Sequence, residues 1–485
     1  MALKDWVCPP EQWPCIHPSF RAPSNNCLQF HFRNKHLPEQ DAEYPTFILP
    51  VKISFSKIYK KIISMKRSAL PLLLLGLLLA CSPANRLSKE KDPLSGILAG
   101  LKSDTLALKI LNHPGKYETQ IIYTQIDRDA QGKPSFRTYW YNVDSTRYFY
   151  PASTVKLPLA LLALEKINHL RRSGYPSLSR DTPYSLDSLR PFQENLISDP
   201  TAANSKPSIG HDVRKVFVVS DNEAYNHLFE FLGREYINRQ LTDKGYTRTG
   251  IVHRFNFPGR DNRYASPIRF YDKTGTVFKE KEKFDERMPE NPQKDTRKGK
   301  GWFSAADSLV REPFDMSRKN WFALTDMEKM LRAVVFPDAV PPQNRFFLTA
   351  DDYRFLYHYM GIFPGECDHP KYDTATYYDG YVKFFLFGDS HEKRDGKVRV
   401  FNKVGEAYGT LTDVAYIIDP EHHVEFILAA TILCNKDGIF NDDTYDYDDT
   451  GFPFLARLGR AVLEYERKRE RPVHPDLNKF RDALR

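Results

Sequence analysis

Cysteine is scarce in this chain: six in 485 residues, and three of them, Cys8, Cys15 and Cys27, fall within the first 64. That excludes a disulfide-built scaffold. With His17, His31 and His36 the early cysteines could form a metal cluster, but their spacing matches no regular zinc pattern, and no metal or organic cofactor is expected. Of the later cysteines, Cys367 and Cys434 could pair or stay as two thiols. Internal repeats are absent. So is a concentrated basic face with a recognition motif, which argues against nucleic acid. The formal charge of +8 comes mostly from residues 1–80, whose ten Lys/Arg and five Asp/Glu leave 60 and 57 in the remainder, a net of +3. Long apolar runs are also missing, with one exception.

That exception is MKRSALPLLLLGLLLAC, residues 65–81. A basic start, an apolar stretch too short for a comfortable permanent span and small residues before a cut site mark a signal peptide over 65–80. The Leu-Leu-Ala-Cys ending resembles the bacterial lipobox, which implies lipidation of Cys81 and membrane attachment through it. Such a peptide works only at an N-terminus, so translation is expected to start at Met65, with 1–64 a non-native extension. Residues 81–100 are polar and read as a tether. Ser82, where an Asp would favour inner-membrane retention in some bacteria, tips the expected location within the cell envelope to the outer membrane.

From 101 to 485 the pattern suggests one domain. QIIYTQIDRD and PSFRTYWYNVD flank a turn and predict a hairpin. Helical periodicity follows at 153–170, around 210–232 and around 325–335. Three strand-like runs, VRVFNKVG, TDVAYIID and HVEFILAATIL, come late, and 452–468 reads as a closing amphipathic helix. Strands at both ends with helices between them predict an α+β fold, an antiparallel sheet flanked by helices. Residues 259–322 form a densely charged insertion, expected as solvated surface or, alternatively, as a lid or partner arm. NDDTYDYDDTG, 441–451, is expected to be an acidic turn, since its spacing does not fit a calcium-binding EF-hand.

The chemistry centres on PASTVKLPLALLALEKINHL, residues 151–170. Ser153 and Lys156, three apart, share one helix face, and free N–H groups at a helix start stabilise developing negative charge. A neutral Lys could take the serine proton if burial lowered its pKa. The spacing alone is cheap: Ser54/Lys57, Ser88/Lys91 and Ser390/Lys393 repeat it. Two further segments set this pair apart, VVSDNEAYNHLFEFLG with Ser220, Asp221 and Asn222, and FNKVGEAYGTLTDVAYIID with Lys403.

Together the three segments resemble the SxxK, SDN and KTG elements of penicillin-recognising serine enzymes, and their setting is similar to the class A β-lactamase-like family. The resemblance spans most of 101–468. It implies an added all-helical subdomain and a role for each matched residue. Ser153 would be the acylated nucleophile and Lys156 its activating partner. Ser220 would shuttle a proton to the leaving nitrogen, Asn222 would hold the substrate amide and Lys156, and Asp221 would be structural. Lys403 would supply positive charge. The backbone N–H groups of Ser153 and Glu406, the residue after Val404 and Gly405, would form an oxyanion hole.

Two departures qualify this. Val404 stands where the family carries a hydroxyl, which puts penicillin-like substrates in doubt. The family's deacylating Glu aligns with Asn256, and no acidic residue lies between Asp243 and Asp261. A neutral amide cannot act as a general base. Slow deacylation is therefore expected, unless Asp261 or a Glu of the insertion substitutes. Lys273-Thr274-Gly275 is a literal KTG but sits among turn-forming residues, so it is expected to be a decoy. The expectation is a lipid-anchored serine hydrolase acting on a β-lactam, a peptidoglycan-related peptide or an ester, with weak or altered β-lactam turnover. A penicillin-binding or peptidase-like protein that deacylates slowly, and a non-catalytic binding lipoprotein, are the alternatives.

Overall fold

The computed structural model describes residues 92–256, 261–394 and 396–483. The lipid-site Cys81, the signal peptide and residues 1–64 lie outside the described residues. Helix α1 spans Pro93–Leu101, so the last part of the expected tether is folded. Asp92 caps it, and Leu94, Ile97 and Leu98 are buried. Helix α2 follows at Thr105–Asn112.

The central sheet has five strands: β1 (Gln120–Arg128), β2 (Pro134–Tyr141), β3 (Arg399–Ala407), β4 (Thr410–Asp419) and β5 (Val424–Leu433). Their order is β3-β4-β5-β1-β2, with every pairing antiparallel. The two ends of the chain therefore build one sheet, and β3 is its edge. Because strand side chains alternate, each strand feeds two cores. Ile122, Val414, Ile427 and Ala429 face a core shared with helix α7 (Leu324–Val335). Ile121, Ala415, Leu428 and Ala430 face one shared with α1 and α9, the latter Phe452–Lys468. Burial on both faces explains why β5 reads as a nearly unbroken apolar run.

A helical subdomain fills the middle of the chain: α3 (Lys156–Arg172), α4 (Ile209–Val218), α5 (Asn222–Leu232) and α6 (Arg234–Asp243). Helix α3 is buried on all sides from Lys156 to Asn168, the mark of a central helix. Helix α8, Ala350–Gly361, packs against β3 and carries a capping box at Thr349 and Asp352. The single helical pattern expected around 210–232 is two helices. Ser220 takes φ +60°, which no helix tolerates, and Asp221 restarts the chain by accepting from Ala224 N–H at 2.8 Å.

Most charged side chains of the insertion are exposed, yet the insertion is anchored. Its described part, 261–322, folds into short hairpins tied to the body. Lys298 pairs with Glu118 at 2.8 Å, Glu280 with Lys166 at 2.8 Å, and Asp285 with Arg234 at 3.1 Å. Gly301 and Trp302 pair with Ile439 and Phe440. A few of these charges are matched by distant partners, which a composition count cannot reveal. Cys367 and Cys434 are both buried and unpaired. In the acidic stretch, Asp446 accepts from Lys436 N–H at 2.9 Å, and Tyr447–Gly451 form a wide turn entering α9.

Candidate active site

Ser153 sits in a short 3-10 turn, Ala152–Val155, that runs directly into α3. Thr154 fixes the turn, its N–H and hydroxyl both donating to Pro151 O, at 3.1 and 2.7 Å. Ala152 takes φ +46°, a costly conformation for a residue with a Cβ, and the turn thereby leaves Ser153 half-buried at its tip. The interval from Ser153 to Lys156 is thus 3-10 at the serine and α-helical only from the lysine.

Lys156 is fully buried. Its Nζ donates to Asn222 Oδ1 at 2.7 Å, to Ser220 Oγ at 3.3 Å and to the Ser220 carbonyl. The left-handed conformation of Ser220 is what turns both its carbonyl and its hydroxyl towards the amine. Burial pulls the Lys156 pKa down to about 7, with Asp221 opposing. Asp221 is half-buried as the α5 cap and lies 3.7 Å from Lys215, which agrees with a structural role.

Lys403 comes from the edge strand β3, and its Nζ donates to Ser220 Oγ at 2.8 Å. Burial and then the nearby Lys156 hold its pKa well below the ordinary lysine value. Two amines thus converge on one hydroxyl. Gly405 lets β3 close on the nucleophile turn: a Cβ there would lie 2.4 Å from Pro151 O and 3.0 Å from Thr154 Cγ2. Val404, expected at the substrate, is instead 4% exposed and buried in the core beside α9, because alternation turns it away from the face that Lys403 and Gly405 share. Glu406 is half-buried, and burial followed by Asp448 raises its pKa to about 7.

The loop at 251–256 approaches Lys156 from the other side. Asn226 clamps Phe255 through its backbone N–H and carbonyl, both at 2.9 Å, and Asn320 Oδ1 accepts from Val252 N–H at 2.7 Å. The residue facing the lysine is Phe255, whose ring centroid lies 5.2 Å from Lys156 Nζ. Asn256, expected at that place, is exposed with φ +48°. Asp261 is engaged by Arg263 at 2.6 Å. His253 is nearby, but burial lowers its pKa to about 4. The literal KTG at 273–275 is an exposed hairpin turn in which Asp272 caps Thr274, as expected of a decoy.

Sequence reasoning missed a third wall. The segment 372–391 carries Tyr372, Tyr377, Tyr381 and Tyr378, whose rings follow one another in that order at 5.1, 5.0 and 5.9 Å, and Tyr378 stacks on His391 at 3.8 Å. At one end Tyr372, Tyr377 and Tyr381 pack with Val218 and Val219, just before Ser220. At the other, Lys383 Nζ donates to Val400 O at 2.8 Å and Asn402 Oδ1 at 2.9 Å, and Asn402 donates to Asp413 at 2.8 Å. Only the density of tyrosine hinted at this, since the segment has no period.

The beta-lactamase enzyme family model matches residues 109–349, a stretch holding Ser153, Lys156, Ser220 and Asn222. Over that stretch the chain belongs to the beta-lactamase enzyme family. Lys403 and β3 lie beyond the match. Among solved structures, a beta-lactamase from Sphaerobacter thermophilus DSM 20745 is 13% identical, with TM-score 0.39, over 77% of this chain and 96% of that one. A beta lactamase from Xanthomonas campestris pv. campestris str. ATCC 33913 is 15% identical, with TM-score 0.40, over 76% and 98%. One from Burkholderia phymatum is 14% identical, with TM-score 0.40, over 76% and 98%. No curated protein matches the chain.

Proposed function

We propose that this beta-lactamase-family protein is a serine hydrolase that acylates Ser153 readily and releases the acyl group slowly. The observation that carries this is Lys156, a buried amine with a pKa near 7, held 2.7 Å from Asn222 and beside Ser220 at the start of the nucleophile's helix. In its neutral form Lys156 takes the Ser153 proton as Oγ attacks a carbonyl. Backbone N–H groups of Ser153 and Glu406 receive the developing oxyanion. Ser220, between the two amines, returns a proton to the leaving group. The C–N or C–O bond breaks, and an ester to Ser153 remains.

Release needs a base for water. The loop offers a phenyl ring over Lys156, an imidazole too weakly basic at about 4, and an Asp already bound to Arg263. This favours weak β-lactam turnover. Glu406 is an unsuitable base, since it shares the strand face of Val404 rather than that of Lys403.

Attachment to the cell envelope through a lipidated Cys81 belongs to the same proposal, supported by the sequence of residues 65–81. Intact mass of the domain after a penicillin or cephalosporin tests the chemistry: a persistent adduct, absent in Ser153→Ala, is expected. Rapid loss of the adduct with drug hydrolysis would sink slow release. No adduct with either drug would shift weight to a non-lactam substrate or a binding role. Incorporation of a fatty-acid label that Cys81→Ala abolishes would test the anchor, and a labelled Cys81→Ala protein would refute it.

A further inference from the structure

The charged insertion brings a cation to the nucleophile's neighbourhood. Asn320 is fully buried and pins the stretch in place: its Oδ1 accepts from Val252 N–H at 2.7 Å and His253 N–H at 3.1 Å, and its carbonyl accepts from the Tyr148 hydroxyl at 3.1 Å. Lys319, one residue earlier, therefore stands on backbone tied both to the 251–256 loop and to the segment that leads into the Ser153 turn. Its Nζ donates to the Tyr408 hydroxyl at 3.3 Å and lies 5.1 Å from the Tyr408 ring centroid and 5.6 Å from that of Phe314. Tyr408 packs edge-on against Tyr150 at 5.0 Å and Phe314 at 5.5 Å. Tyr408 and Phe314 belong to one cluster with Ala152, the residue before the nucleophile, and with Ala407 and Phe255. Lys319, Tyr408 and Phe314 are half-buried, and Lys319 has no ion-pair partner among the described residues. An ammonium has three donors, of which Tyr408 takes one, and a half-buried cation without a counter-ion is costly.

The direction of β3 decides which part of a substrate meets this corner. On the acyl-enzyme reading, the leaving group lies by Ser220 and Lys403, and the carbonyl by Gly405, where β3 closes on the Ser153 turn. The acyl portion then runs on along the strand edge to Ala407, which shares the face of Lys403, and to Tyr408 just past the strand's end.

We propose that Lys319, with Tyr408 and Phe314, selects substrates whose acyl portion carries a carboxylate. This rests on the acyl-enzyme reading and deepens it. The carboxylate would pair with the Lys319 ammonium and accept from the Tyr408 hydroxyl, and an aromatic linker would lie against the Phe314 ring. The class of substrate is therefore an amide, ester or lactam with an anionic acyl portion, whatever its leaving group carries.

The test uses phenylacetyl thioesters of one thiol that bear a carboxylate, a carboxamide or an aminomethyl group at the para position. Adduct formation at Ser153 is followed by intact mass. The carboxylate probe is expected to react about tenfold or more faster than the aminomethyl probe, the ratio one charge-assisted hydrogen bond supplies. Lys319→Met keeps the stem and is expected to bring that ratio towards one, while Lys319→Arg preserves it. A purely structural role would slow all three probes alike. A wild-type preference for the aminomethyl probe, or a ratio unmoved by Lys319→Met, overturns the proposal. If no probe acylates Ser153, the hydrolase reading fails, and recognition is read separately. Calorimetry on Ser153→Ala then compares stable amide analogues of the carboxylate and aminomethyl probes. Tighter carboxylate binding, lost on adding Lys319→Met, upholds the selectivity without the chemistry; equal binding, or none, refutes it.

Discussion

The two sides of Lys156 are built differently. On one side, Ser220, Asn222 and Lys403 come from the break between two helices, a helix start and a sheet edge, and meet within hydrogen-bond distance. On the other, the 251–256 loop is held just as firmly, by Asn226, Asn320 and Tyr225, yet what it presents is a phenyl ring. Rigidity is therefore not what separates them; polarity is. Under the proposed reading the first side would make an ester at Ser153, and the second would offer no base to release it.

The comparison breaks most sharply at Lys156. Lys156→Met removes the base and keeps the stem, and acylation is expected to fall by about a thousandfold, within the range a general base contributes. Single-turnover adduct formation followed by mass measures it, and a fall of less than tenfold would move the base to Lys403. The pH profile is a gentler version of the same test. The competent form of Lys156 is the neutral one and its pKa is about 7. Acylation should therefore rise with pH, by about tenfold per unit below 7, and level off above it. A profile that is flat from pH 5.5 to 8, or one that falls as pH rises, would contradict a neutral lysine base.

The other side can be sharpened by giving it what it lacks. Phe255→Glu places a carboxylate on a backbone that Asn226 fixes at 2.9 Å from both sides. The acyl-enzyme lifetime is expected to shorten by about tenfold, at the low end of general-base catalysis because the surrounding loop did not form around a charged group. The same carboxylate would raise the Lys156 pKa and move the acylation limb to higher pH. An unchanged lifetime in a folded variant would mean that water access, not the base, limits release. Asn226→Ala tests the clamp alone and should cost about 1 kcal/mol of stability in denaturant unfolding, from two part-buried backbone groups of Phe255 left unpaired.

How much of this the sequence disclosed follows from what has a period. The three late strands and helix α9 lie where alternation and the 3.6 repeat put them, since burial selects residues at those spacings. Ser153, Lys156, Ser220, Asn222 and Lys403 were found through local motifs, and folding brings them together. What escaped has no repeat. Ser220 at φ +60° splits a helical pattern that composition presents as continuous, and it is Phe255 rather than Asn256 whose side chain lies over Lys156. The tyrosine wall at 372–391 and the charge pairing of the insertion depend on partners far away in the chain, such as Lys383 with Asn402 and Lys298 with Glu118.

The smallest expected effect tests the motif reading itself. Lys273-Thr274-Gly275 matches the family's third element letter for letter, whereas Lys403-Val404-Gly405 does not. Position argues the other way. Lys273 is exposed in a hairpin turn whose geometry Asp272 and Thr274 set between themselves, and its neighbours are the short strands Ile268–Asp272 and Gly275–Glu280. Lys403 is buried, with its amine on Ser220. Lys273→Ala should leave acylation within about twofold of wild type, the size of an exposed charge change, while Lys403→Ala should slow it by about a hundredfold. Equal effects of the two substitutions would mean that the edge strand does not line the reacting site, and the assignment of β3 would have to be withdrawn.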